Sequence, residues 1–567
     1  MVEKAAHEAG TRAAGGAGAS AGIDDAAESG GGAAPVGAGP RVLSRRALIR
    51  GVAGSAVLAG AAATLAACTP GTASAGASAS KAASGAPASA SASTLFAELD
   101  AKILALMKKY KVPGSAVGVW YKGAEHVRGF GVTNVEDPQP VTGDTLFRIG
   151  STTKTVTGTA MMRLVEQGKV GLDAPVRTYL PDFATSDPSV AWQVTVRQLL
   201  NHSPGWLGDN LVDYGRGDNA LAEYVAGVAR VPQQTPLGST FQYNNTAIGV
   251  AGRIIEVVTG STYEDAARSL VLDPLKLAHT GFFADEMIGY RFAAPHQQVP
   301  AAQEVPGKAV VNRSDFYLPR SLNSIGGLLS SARDQLAYAR FHLAGTGVAA
   351  DGKQILSPAA LKAMRSNPGP GGTLLMELTG IGVTWMLVPS AEGVTIVQHG
   401  GSWPGYESGF LFVPGRDFAM TLLTNSSTGN PAVGELLNND WALSRFAGLH
   451  NPPADPKKLS AADLAPYVGR YRFQEIDGTG AKPITKTSTL QLTAHNGRLR
   501  MSGLDENGKE LEPPTGGAPE LALYRDDYVR PYDSDGNPLA ARSNFIRDAN
   551  GKVQWLRNGG RLGRKIS

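Results

Sequence analysis

Strand-like runs stand at two distant places in one stretch of this chain, with a helical middle between them. "SAVGVWYKGAEHVRGFGVTN", from Ser115, alternates around Lys122-Gly123 in the pattern of a β-hairpin. Strand patterns return at "GVTWMLVP" (Gly382), "GVTIVQHGG" (Gly393), "SGFLFVPG" (Ser408) and "FAMTLLTNSS" (Phe418), with a turn at Pro404-Gly405. Few folds accommodate that order. It predicts one antiparallel sheet assembled from distant parts of the chain, flanked by helices and carrying a helical subdomain, an α/β (α+β) class. Just upstream, "TLFAELDAKILALMKKY" spaces Leu95, Leu99, Ile103 and Leu106 as a helix, which Val112-Pro113-Gly114 ends.

The folded part is bounded on both sides. "GLHNPPADPKKLSAADL" is rich in Pro and charge and marks a boundary, with a linker over 450–460. Beyond it, short alternating runs broken by Asn-Gly, Asp-Gly and Gly-Lys turns predict a small antiparallel β-barrel over 461–567. The preceding domain spans 94–449.

Upstream, the twin arginines Arg45 and Arg46 lead into the apolar stretch Gly51–Ala67, and small residues precede Cys68, the single cysteine. A basic region, a short apolar region and a small-residue cleavage site describe an export signal over 1–67. Leu65-Ala66-Ala67-Cys68 resembles the bacterial lipoprotein box, which implies lipidation at Cys68. The expected location is the outer face of a bacterial cytoplasmic membrane, with the Ala/Ser/Gly-rich segment 68–93 as a disordered tether. One cysteine excludes an intrachain disulfide. Formal net charge is +4 of 53 basic and 49 acidic residues, unclustered, so nucleic acid is not an expected partner.

Within "FRIGSTTKTVTGTAMMRLVEQGKVG", Ser151 and Lys154 are three apart. The spacing alone means little, because Ser78 and Lys81 share it in the tether. The setting differs. Gly150 and small polar residues precede an apolar period at Val156, Ala160, Met161, Leu164 and Val165, and Gly168 ends it. Ser151 is therefore predicted to open a helix, with Lys154 one turn later on the same face. The helix N-terminus favours a developing alkoxide, and a nearby amine can relay the serine proton.

A free lysine is protonated near pH 7, so a third group is needed. Tyr243-Asn244-Asn245 is the only Tyr-x-Asn in the chain and precedes a helical run at Ile248, Val250, Ile254 and Ile255. A lysine ammonium beside Tyr243 is expected to lower the phenol pKa, and Asn245 to fix the lysine or a substrate amide. His399-Gly400-Gly401 ends a strand that can hold an extended substrate and contribute an oxyanion N–H. His279-Thr280-Gly281 is the weaker match, and His202 in "LLNHSPGW" reads as a structural turn residue. Gly18-Ala19-Ser20-Ala21-Gly22 matches the hydrolase elbow by chance, with no strand or helix around it. The histidines lack ligand spacing, so neither metal nor cofactor is expected.

Ser151-x-x-Lys154, Tyr243-x-Asn245 and His399-x-Gly401, in this order, resemble the three motifs of the serine β-lactamase and penicillin-binding family. The match is to its class C and D,D-carboxypeptidase branch. "FRIGSTTK", "LLNHSPGW", "SIGGLLSSARD" and "QHGGSWPGYES" resemble the family's surroundings, and the β-rich tail resembles an accessory barrel of some members. The resemblance implies that Ser151 is acylated and that Lys154 and Tyr243 transfer the proton. It also implies that Asn245 and His399 orient substrate and that the N–H groups of Ser151 and Ser402 bind the oxyanion. His399 stands where many β-lactamases carry Lys, and a mostly neutral imidazole holds a carboxylate less firmly. The expected substrates are therefore D-amino-acid peptides of the cell wall or small esters. The alternatives are a β-lactamase, a membrane-tethered binder without turnover, and a ligand-binding tail on a scaffold domain.

Overall fold

A computed structural model of the protein describes residues 91–299, 308–314, 316–512, 518–533, 535–539 and 541–567. The export signal, Cys68 and nearly all of the tether lie outside the described residues.

The sheet predicted from the two sets of strands is present. Its order is Gly380–Ile381, Met386–Pro389, Thr395–Gln398, Tyr406–Val413, Phe418–Thr424, Gly114–Tyr121, Ala124–Gly131, with Gly401–Trp403 pairing the fourth strand as an eighth member. Chain closure happens where Gly114–Tyr121 pairs antiparallel with Phe418–Thr424, in the register Val119 with Met420. The hairpin turn at Lys122 and Gly123 takes left-handed φ values of 47° and 85°, which match the twist of the two strands.

Period-two alternation sorts side chains onto two faces. Val117, Val119, Leu411, Val413, Met420 and Leu422 pack with Leu95, Leu99, Ile103 and Leu106 of the helix Ala92–Tyr110. On the other face Ala116, Phe410, Phe412 and Ala419 meet Leu336 of the helix Ala332–Ala344. The latter helix lies close: a Cβ on Gly118 would sit 2.8 Å from the Ala332 carbonyl oxygen. The helical subdomain runs between the two sets of strands and holds the buried helices Thr153–Glu166 and Asn245–Thr259.

Residues 469–565 form a closed eight-stranded antiparallel barrel. It closes where Gly469–Thr479 pairs with Arg561–Lys565, and Leu492, Leu499, Leu521, Val529, Phe545 and Leu556 fill its interior. Its first strand continues past the barrel body to pair with the subdomain loop at Asn210 and Asp213. Ile476 donates its N–H to the Asp209 carbonyl (2.8 Å), and Leu211 returns one to Ile476 (2.8 Å).

Candidate active site

Gly150–Thr152 forms a single 3₁₀ turn, and the α-helix Thr153–Glu166 follows it. Ser151 thus sits one turn ahead of the helix proper, and Lys154 in the helix's first turn. Gly150 adopts φ 51°, and a Cβ there would lie 2.7 Å from the Ser402 nitrogen. Gly401 is equally constrained, since its Cβ would fall 1.9 Å from the Ile149 oxygen and 2.7 Å from the Ser151 nitrogen. Two glycines therefore let the strand Gly401–Trp403 press against the Ser151 turn, which brings the backbone N–H groups of Ser151 and Ser402 together. Hydroxyls lock this seam: Ser408 Oγ donates to Ile149 O (2.8 Å) and shares a hydrogen bond with Thr152 Oγ1 (2.9 Å).

Lys154 is fully buried. Its Nζ lies 2.9 Å from Ser151 Oγ, donates to the Ile325 carbonyl at 2.8 Å, and sits 5.1 Å from the Tyr243 ring centroid. Burial without a carboxylate in contact pushes its pKa well down, and the Arg561 cation adds to the effect against the opposing pull of Asp209. Both effects favour the amine form of Lys154 over the ammonium.

Tyr243 immediately precedes Asn244, whose side chain caps the helix Asn245–Thr259 by accepting from Ala247 N–H (2.8 Å). Its phenol hydrogen-bonds Ser151, yet burial raises its pKa above the ordinary value. The sequence-based expectation of a lowered phenol pKa is therefore corrected. Desolvation of the phenolate outweighs the Ser151 hydrogen bond and the Arg561 cation, which both favour it.

His399 is buried at the end of the strand Thr395–Gln398, and its ring centroid is 6.2 Å from that of Tyr243. Its Nδ1 bonds the Gly400 carbonyl (2.7 Å), and burial followed by the nearby Lys154 pushes its pKa down to about 3. His202 is a turn residue with φ 59°, and its ring stacks on Tyr243 at 4.9 Å. Nε2 of His202, Oδ1 of Asn245 and Nε2 of His399 are buried with no hydrogen-bond partner among the described residues. Orphaned polar atoms are rare in native interiors, and two of these three belong to rings packed against Tyr243, so they are available to hydrogen-bond a polar ligand. His279, the weaker match, lies against Tyr290 and donates its main-chain N–H to Asp334.

Behind the Ser402 strand, Glu407 is buried and accepts hydrogen bonds from Ser402 Oγ (2.8 Å) and Asn430 Nδ2 (3.3 Å). Burial pushes its pKa up to about 8 despite those bonds.

A sequence profile described as Beta-lactamase matches residues 99–443, more than half of the chain. The chain belongs to the beta-lactamase family. Penicillin-binding protein 4 of Amycolatopsis lactamdurans is 35% identical over 371 residues, covering 65% of this chain and 95% of that protein. Esterase EstB of Burkholderia gladioli is 30% identical, over 63% of this chain and 89% of its own length. A crystal structure of SurE superposes with a TM-score of 0.62 at 25% identity, covering 84% of this chain and 100% of its own. That coverage exceeds what residues 99–443 make up, so the likeness extends into the barrel. The family is one of serine hydrolases, with penicillin-binding proteins, esterases and beta-lactamases among its members.

The structure brings Ser151, Lys154, Tyr243, His399, Gly401 and Ser402 together. Asn245 joins through a different contact: its Nδ2 donates to Asp209 Oδ1 (2.7 Å), and no hydrogen bond to Lys154 forms. Two residues were not foreseen. Asp209 comes from the subdomain loop, and Arg561 from the tip of the barrel's last hairpin. The turn "RNGGR" at 557–561 signals a tight hairpin, but nothing local to it reveals where the tip docks.

Proposed function

We propose that this protein hydrolyses its substrates through an acyl-enzyme at Ser151. One observation carries the reading: the buried Lys154 Nζ lies 2.9 Å from the Ser151 hydroxyl, where burial favours its amine form. With one N–H committed to the Ile325 carbonyl, its lone pair can take the Ser151 proton as Oγ bonds the substrate carbonyl carbon. The N–H groups of Ser151 and Ser402 receive the oxyanion. Tyr243, a neutral phenol, passes its proton to the departing amine or alkoxide and regains one from Lys154. Water then attacks the ester carbonyl and restores Ser151.

Substrates are D-amino-acid peptides of the cell wall or small esters. The neutral His399 supports this, since it offers no fixed charge to the carboxylate of a β-lactam. The similarity to a penicillin-binding protein and an esterase agrees with it. A fluorophosphonate or labelled penicillin is expected to add one adduct to the wild-type mass, and undiminished labelling of Ser151→Ala would refute the assignment. A chromogenic ester turned over many times per enzyme molecule separates hydrolysis from binding alone.

We further infer export by the twin-arginine route and anchoring through lipid on Cys68, supported by the sequence from Arg41 to Cys68. Radiolabelled palmitate incorporated by the wild type and absent from Cys68→Ala is the expected result.

A further inference from the structure

The tip of the barrel's last hairpin lies inside the acylation site. Gly559 and Gly560, with φ 54° and 76°, turn the chain between Val553–Asn558 and Arg561–Lys565, and the Gly560 carbonyl accepts the Tyr243 N–H at 2.9 Å. Arg561 follows the turn. Its Nε donates to Asp209 Oδ2 at 2.8 Å, Nη2 to Asp209 Oδ1 at 3.3 Å, and Nη1 to the Gly559 carbonyl at 2.9 Å. The guanidinium carbon lies 4.8 Å from the centroid of the Tyr243 ring, the ring that Lys154 Nζ approaches at 5.1 Å. About a third of the Arg561 side chain remains exposed, whereas Asp209 is nearly buried. A cation and an anion from separate domains thus flank the proton-transfer pair.

We propose that Arg561 and Asp209 are positioning residues of the acylation site, a charge pair through which the barrel sets the electrostatic field at Lys154 and Tyr243. The inference rests on the acyl-enzyme reading and extends it. The other groups bearing on the pair are accounted for. His202 and His399, on the hydrolase side, are buried, and burial pushes both imidazoles below their ordinary value. On the barrel side stands Glu475, itself raised by burial and by Asp209, with Lys486 3.9 Å from it. The two members act with opposite sign. The Arg561 cation opposes protonation of Lys154, and the Asp209 anion favours it. Held together, their influences on Lys154 oppose one another, and Asp209 also anchors Asn245 through its Nδ2.

Opposite signs give a test that a merely structural role fails. The rate of acylation by a fluorophosphonate is measured against pH for the full-length wild type, Arg561→Met, Arg561→Lys and Asp209→Asn. Each variant is checked for a native melting transition. Arg561→Met is expected to move the acid-limb midpoint up by about one pH unit, Asp209→Asn to move it down, and Arg561→Lys to stay near wild type. If Arg561→Met does not fold, the downward shift in Asp209→Asn carries the test alone. Midpoints that stay put or move the same way, with only a lower rate throughout, overturn the proposal. Ser151→Ala is run alongside. Acylation persisting there removes the acyl-enzyme reading itself, whereas its loss with unshifted midpoints in the other variants removes only this inference.

Discussion

The imidazole of His202 stacks on the phenol of Tyr243, with centroids 4.9 Å apart and planes inclined by 16°. The same imidazole accepts the Asn244 N–H through Nδ1 at 2.8 Å, so one side chain fixes both the tyrosine ring and the start of its helix. Its backbone φ of 59° is a conformation that Asn tolerates better than most residues.

Those contacts predict a graded series. His202→Ala should lose about 3–5 kcal/mol of stability, the range for truncating a buried aromatic ring, and slow acylation at least about tenfold. His202→Asn keeps the backbone preference and loses the stack, so it should recover some stability but not the rate. Thermal melts and single-turnover labelling check both.

Gly401 supports a sharper prediction. A Cβ there meets the Ile149 oxygen at 1.9 Å and the Ser151 nitrogen at 2.7 Å, and both are backbone atoms that cannot swing aside. Gly401→Ala must push the strand Gly401–Trp403 away from the Ser151 turn and widen the gap between the Ser151 and Ser402 N–H groups. Losing one oxyanion donor typically costs about 10²–10³ in rate. A fall of that size in ester hydrolysis, with the melting temperature lowered by only a few degrees, is the expected outcome.

Much of this was legible in the sequence for a local reason. The Ser151–Lys154 pair follows from helical pitch, and the sheet from period-two alternation in two separated blocks. Tyr243 and His399 were marked by the elements beside them. Arg561 and Asp209 were not, because their contact spans 352 residues and crosses from one fold to another. Nor does residue order reveal desolvation. That is why Tyr243, expected to have a lowered pKa beside a cation, has a raised one in its buried setting. The stack of His202 on Tyr243 was hidden likewise, since a turn residue and a buried support look identical in one dimension.

Glu407 makes stability depend on pH in a stated direction. Its pKa is raised from 4.5 to about 8 in the folded protein, so between those values the native state holds a proton that the unfolded chain has released. Stability from this group is fully present below about pH 4.5 and is lost as pH rises through 8. Glu407→Gln stays neutral and can still accept from Ser402 Oγ. The melting temperature of the variant should therefore fall less than that of wild type between pH 6 and 9. Parallel curves for the two proteins would show that Glu407 is already ionised in the fold.

The barrel's grip on the site can be loosened at one atom. Gly560 has φ 76°, and a Cβ there would lie 2.4 Å from Leu374 Cδ1 and 3.0 Å from Tyr243 Cβ. The leucine tip can rotate away, but the tyrosine Cβ cannot without moving the backbone that carries the phenol. Gly560→Ala should thus lift the hairpin, lengthen the Tyr243 N–H to Gly560 bond and slow acylation about tenfold or more, while the barrel itself stays folded. Gly551→Ala is the matched control: φ 77° in the same barrel, with open space where its Cβ would go. Both substitutions pay the left-handed strain of about 1–2 kcal/mol. Only Gly560→Ala should also lose rate, because only that turn touches the tyrosine. Equal rates in the two variants would mean that hydrolysis proceeds without the hairpin seated.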